Sequence, residues 1–170
     1  MLTIPHLLTR RSFVAQTGQW LGGLALASSF PLTTTSGAKN LKQLVAALYA
    51  AYANLDMEKL LACFAEDGWL EDATLHFKIE GKNKLREFFV GQRPFFLSVK
   101  FEVKTLLING PYAISLHRQS GSVKQGLVPN VGPFQYAVEG ISIFEFDGEK
   151  IKRQTDFYDV LTFRKQSGQS

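Results

Sequence analysis

Past residue 40 the apolar positions keep first a helical and then a strand period. Leu41, Leu44, Val45, Leu48, Tyr52 and Leu55 recur three or four residues apart. That spacing predicts an amphipathic helix of about four turns. Asp56 is placed to cap a second, shorter helix carrying Leu60, Leu61 and Phe64, with Glu58 near its positive end. Glu66-Asp67-Gly68 breaks the pattern. Trp69–Thr74 reads as a short strand and His76–Ile79 as another. Lys82–Val90, with Leu85, Phe88 and Phe89 on one face, predicts a third helix ended by Gly91.

After Pro94 the period becomes two. Val99, Phe101 and Val103 alternate with Lys100, Glu102 and Lys104, the signature of a half-buried strand. Asn109-Gly110-Pro111 turns the chain into a strand from Tyr112 to about Ser120. Gly121–Pro133 reads as a long loop, and Phe134–Phe146 as another strand. Asp147-Gly148 is a hairpin signal leading into Lys150–Phe163. Helices first and hairpin-linked strands later imply an α+β fold. A strongly curved antiparallel or mixed sheet is expected to wrap around the first helix as a cone and leave a pocket between them. The domain is read as residues 41–163, with 164–170 a disordered polar tail.

Ahead of the domain, Thr9-Arg10-Arg11-Ser12-Phe13-Val14 precedes a glycine-studded, weakly apolar stretch that ends in Ala25-Leu26-Ala27. A positive region, a short apolar region and a small-x-small exit site are the three parts of a secretory signal. The arginine pair resembles the twin-arginine export signal, an address rather than an anchor. This reading makes 1–27 a signal peptide and 28–40 a flexible linker. It places the protein in the periplasm, a thylakoid lumen or outside the cell. The alternative is an amphipathic extension with a chance Arg-Arg pair.

Composition narrows the function classes. The 14 phenylalanines call for a large aromatic core or an apolar cavity. Cys63 is the only cysteine, which excludes an intramolecular disulfide, and its apolar setting suits a core thiol. Part of the net charge of +4 lies in the signal, and the remaining lysines are scattered, so no nucleic-acid surface is expected. No later apolar run is long enough to span a bilayer, so no stable membrane anchoring is expected. Neither a histidine–cysteine cluster nor a phosphate-binding glycine loop is present. No metal and no cofactor are expected.

Three segments carry a family resemblance. Cys63-Phe64-Ala65-Glu66-Asp67-Gly68-Trp69-Leu70-Glu71-Asp72, Ile143-Phe144-Glu145-Phe146-Asp147-Gly148-Glu149-Lys150-Ile151 and Gln154-Thr155-Asp156-Phe157-Tyr158-Asp159 resemble the nuclear transport factor 2-like superfamily. That group includes steroid isomerases, limonene-type epoxide hydrolases and SnoaL-like polyketide cyclases. It hosts many chemistries and some non-enzymes.

The resemblance implies catalytic roles for three residues. Asp72 matches the proton-abstracting aspartate of the isomerases, although an aspartate there also suits a turn cap. Asp156 matches the acid of the epoxide hydrolases. Arg118 matches the arginine that bridges two aspartates there, and would lower both their pKa values; the alternative is a surface residue at the end of its strand. His117, on the other side of its strand, is expected to face solvent or to be structural, and His76 to lie near the pocket mouth or to be structural. Tyr52, Trp69, Tyr136, Ser142 and Tyr158 complete the expected substrate-binding set. Neither family's full catalytic set is present. Leu48 stands where the isomerases place a tyrosine, Ser142 where they place a protonated aspartate, and Ser120 where the hydrolases place a second aspartate. The leading expectation is a cofactor-independent isomerase, cyclase or hydrolase for a small apolar substrate. The alternatives are a binder of a lipid, pigment or terpenoid, and a dimerising interaction module. A homodimer is expected in each case.

Overall fold

The computed structural model describes residues 35–128 and 131–169. The arginine pair, the expected signal and the first part of the expected linker lie outside them. Helix α1 spans Thr35–Ala53, so the helix starts ahead of Leu41 and takes in the rest of the linker. Asp56 caps α2 (Met57–Ala62), its side chain accepting the Lys59 N–H at 3.1 Å. Strands β1 (Phe64–Asp72) and β2 (Phe77–Glu80) follow, then α3 (Lys82–Gln92) and a 3-10 turn at Arg93–Phe95. The chain continues through β3 (Phe96–Asn109), β4 (Tyr112–Val123), β5 (Phe134–Asp147) and β6 (Lys150–Tyr158) to α4 (Val160–Gln166).

The six strands form one mixed sheet in the order β2-β1-β6-β5-β4-β3, antiparallel except between β1 and β6. This is the α+β architecture expected from the pattern. Apolar spacing puts Leu41, Val45, Leu48 and Tyr49 of α1 inside, and the Tyr49 ring stacks on Phe101 of β3 with centroids 4.5 Å apart. Leu60, Phe64, Leu85, Phe89, Phe144 and Ile151 belong to the same core, with Phe144 edge-on to Tyr49. Burying each such side chain is worth about 2 kcal/mol.

Two further boundaries depart from expectation for identifiable reasons. Strand β1 begins at Phe64 and runs through Glu66-Asp67-Gly68, because the register slips between Phe64 and Trp69. A Cβ on Gly68 would lie 2.8 Å from the Ile151 carbonyl, so the slip requires glycine there.

The last strand stops at Tyr158, and the tail expected to be disordered is helical to Gln166. Asp159 starts α4 by accepting both the Thr162 N–H (2.9 Å) and its hydroxyl (2.6 Å). The helix then lies along the edge of β5 that β6 leaves open. There the Gln166 side-chain amide accepts from Ala137 N at 2.8 Å and donates to Ala137 O at 3.2 Å. One amide thus supplies both bonds of the missing strand neighbour.

Candidate active site

Between the concave sheet face, α1 and α3 lies a cavity of about 370 Å³. Its walls are aromatic, with Phe77, Phe88, Phe96, Phe101, Tyr136 and, from α4, Phe163. Phe163 packs edge-on against Phe134 and Tyr136, so α4 forms part of the enclosure.

Polar groups enter this cavity along one rung of the sheet. Strand pairing sets Asp72 opposite Asp156, Asp156 opposite Ser142, and Ser142 opposite Ser115. A single line of side chains therefore crosses four strands on the inner face. The Ser142 hydroxyl donates to Asp156 Oδ1 at 2.6 Å, and the Gln154 amide donates to both Asp156 oxygens at 3.1 and 2.8 Å. Asp72 accepts the Leu75 N–H at 2.7 Å, so it caps the β1–β2 turn while lining the cavity. Ser115 Oγ and Gln154 Oε1 are buried with no partner among the described residues. Each is an orphaned polar atom beside the cavity polar row.

Burial controls the ionisation. Loss of solvent pushes the Asp156 carboxyl up to about 6 against the help of Ser142 and Gln154, and the Asp72 charge adds to the rise. Burial raises Asp72 too, opposed by the backbone N–H groups of its turn. Two adjacent carboxyls of this kind titrate as a pair. Burial also raises the phenols: Tyr49 and Tyr136 to about 12, and Tyr52 well above its ordinary value. These tyrosines are neutral donors at any physiological pH.

Asp72, Asp156, Tyr52, Tyr136, Ser142 and Tyr158 all line the cavity. Arg118 and Trp69 do not. Arg118 is exposed on the outer sheet face, in register with Glu102 and Glu139, so it does not bridge the aspartates. Trp69 is held outside the cavity between Lys78 Nζ and the Arg153 guanidinium, 3.8 and 4.4 Å from its ring. His76 is exposed in the β1–β2 turn at φ 58° and is not part of the lining.

The residue missed is His117. The strand alternates Ala113, Ser115 and His117 inward with Ile114, Leu116 and Arg118 outward, the reverse of what its apolar residues suggest. His117 is buried, its Nδ1 lies 3.3 Å from the Tyr49 hydroxyl, and burial lowers its pKa, so the ring is neutral. Gly140, opposite it on β5, makes the room: a Cβ there would come 2.9 Å from His117 Nε2. The run of small residues Ala113 and Ser115 before His117 was the available signal.

Residues 45–154 match the family model described as the SnoaL-like domain. Among solved structures, a protein described as a SnoaL-like polyketide cyclase from Shewanella denitrificans shares 20% identity at a TM-score of 0.67, covering 74% of this chain and 95% of that one. A phenazine biosynthesis-related protein from Pseudomonas aeruginosa also shares 20% identity, with a TM-score of 0.71, covering 85% and 90%. A protein with a ketosteroid isomerase-like fold from Catenulispora acidiphila, solved with trimethylamine, shares 20% identity at 0.65, covering 75% and 94%. No curated protein matches the sequence.

Proposed function

The chain belongs to the SnoaL-like domain family, and on that premise we propose that it is an acid–base enzyme of the isomerase or cyclase type, acting on a small apolar substrate without a cofactor. One observation carries the reading: Asp72 and Asp156 are direct neighbours in an apolar cavity, with no arginine or lysine of the described residues between them. Burying two anions side by side is costly unless a cation or a proton compensates them. With Arg118 on the outer face, the compensation is a proton.

A pair that shares one proton around pH 6, where Asp156 titrates, holds a base and an acid at once. The ionised member takes a proton from a carbon beside a carbonyl, and the electron pair moves into an enolate. The neutral member returns a proton elsewhere on the substrate. The enolate oxygen needs donors that stay neutral. Tyr52 offers a buried phenol, and His117 offers Nε2–H when Tyr49 donates to its Nδ1. An arginine between the acids would instead favour the water activation of the hydrolases.

The test begins with the molecule that co-purifies with the protein, identified by mass spectrometry and incubated in deuterium oxide. The wild type is expected to incorporate deuterium at carbon, and Asp72→Asn and Asp156→Asn to bind the molecule without exchange. Binding with no exchange by any form supports a carrier of the same apolar molecule instead.

Two further readings complete the proposal. A second copy of the chain covers the outer sheet face, where Leu107, Ile114, Leu116, Ile141, Ile143 and Phe157 are each more than a third exposed. The Arg10-Arg11 segment directs export by the twin-arginine route, with cleavage near Ala27. Replacing both arginines by lysine should leave the precursor unprocessed, and undiminished processing rules this out.

A further inference from the structure

We infer that the substrate is an amphipathic anion: an apolar, ring-bearing body carrying a carboxylate at its outer end, received by Arg93. The inference rests on the acid–base reading of the same cavity and adds its substrate class. Arg93 is the only lysine or arginine among the described residues lining the cavity, and it stands at the start of the 3-10 turn that follows α3.

Its placement is fixed by a neighbouring element. Arg93 Nε donates to the Leu55 carbonyl at 3.2 Å. Leu55 lies in the turn that follows α1, at φ 54°, a left-handed conformation uncommon for a residue with a bulky side chain. The bond uses one donor and leaves both terminal nitrogens of the guanidinium, the fork that matches a carboxylate. Lys82 and Arg86 of α3 are held by Glu66 and Glu58. No carboxylate of the described residues lies within 4.0 Å of Arg93.

The cavity therefore carries its charges on different walls. Its one cation is in the exposed turn, and its two carboxyls are on the sheet, with Phe88, Phe89, Phe96 and Phe101 among the walls. A substrate carboxylate beside Asp72 and Asp156 would add a second negative charge to a pair whose burial already disfavours holding two. Only the orientation with the anion on Arg93 avoids this. That orientation presents the far, uncharged end of the ring system to the aspartate pair.

The test compares 2-naphthoate with its neutral isostere 2-naphthamide by isothermal titration calorimetry. The wild type is expected to prefer the carboxylate about three- to fivefold, the effect of one partly exposed charge pair. Arg93→Gln should abolish the preference, and Arg93→Lys should keep part of it. Lys100→Gln, an exposed cation outside the cavity, should leave it intact. Equal binding of both probes by the wild type, a preference that survives Arg93→Gln, or no binding of either probe at millimolar concentration overturns the inference. A wild type that prefers the carboxylate yet exchanges no deuterium into its co-purifying molecule supports the anion site and sinks only the acid–base reading.

Discussion

Asp72 and Asp156 occupy one rung of the sheet, paired across the parallel strands β1 and β6 and both open to the same aromatic cavity. Neighbouring strands run about 4.8 Å apart, so the two carboxyls cannot avoid each other's field. Ser142 and Gln154 donate to Asp156, and the turn backbone donates to Asp72. These donors favour the charged forms, yet desolvation is the larger effect at both residues and their pKa values rise. A raised carboxyl pair suits proton transfer at carbon better than a pair clamped by arginine.

The first prediction follows from linkage. Asp156 moves from 3.8 to about 6 on folding. A carboxyl raised in this way stabilises the native state fully below its unfolded value, and the contribution is lost as pH rises through the folded one. Buried His117, lowered on folding, acts with the opposite sign, since its contribution is lost as pH falls below about 6.5. The useful quantity is therefore the difference between variant and wild type. Asp156→Asn should match the wild type near pH 4 and gain stability up to neutral pH, by about 2–3 kcal/mol at most. Denaturant titrations across that interval read it directly. A difference that stays flat with pH means Asp156 is not raised.

Much of this architecture was legible in the chain. The period of Leu41 to Leu55 gave α1, Asp56 gave the cap of α2, and Asp147-Gly148 gave the β5–β6 turn. Asp72 and Asp156 were named from motifs, and the pairing of β1 with β6 supplies the reason they meet. The orientation of β4 was not legible. Its apolar residues Ile114 and Leu116 point outward, because a sheet with an apolar outer face inverts the usual link between hydrophobicity and the interior. Arg118 went out with them and His117 went in. Helix α4 was missed for a related reason. Val160–Phe163 continues the apolar pattern of the strand, and only Asp159 with Thr162 marks the change to helix.

Arg118→Leu separates the two possible compensations of the aspartate pair. With Arg118 exposed between Glu102 and Glu139, its removal should change stability by no more than about 0.5 kcal/mol at any pH. Thermal melts at acid and alkaline pH are sufficient. A loss that grows above neutral pH would restore Arg118 as the counter-ion of Asp72 and Asp156.

Ile143→Glu tests the proposed dimer. Ile143 lies in register with Ile114 on one side and Thr155 on the other, in the middle of the outer apolar face. A carboxylate there would be buried against a second copy at a cost of several kcal/mol, yet remain hydrated in a monomer. Sedimentation equilibrium should show the wild type as a dimer and the variant at half that mass, with unchanged circular dichroism. A wild type that sediments as a monomer at tens of micromolar refutes the proposal.

Gly140→Ala probes the role of His117 without touching a titratable group. The new methyl carbon would come 2.9 Å from His117 Nε2 and 3.1 Å from the Phe157 carbonyl. The carbonyl belongs to a paired strand and cannot yield, so the imidazole must turn away. That movement breaks the 3.3 Å contact between Nδ1 and the Tyr49 hydroxyl. Overpacking of this kind costs about 1–3 kcal/mol. The informative readout is the imidazole itself, followed by nitrogen-detected NMR. In the wild type the proton should sit on Nε2 with Nδ1 accepting from Tyr49. In Gly140→Ala the ring should lose that preference and titrate nearer the ordinary histidine value, as it gains solvent. If His117 donates to a substrate oxygen, turnover of the co-purifying molecule should fall in Gly140→Ala more than its binding does. An unchanged tautomer with reduced stability alone would leave His117 a packing residue.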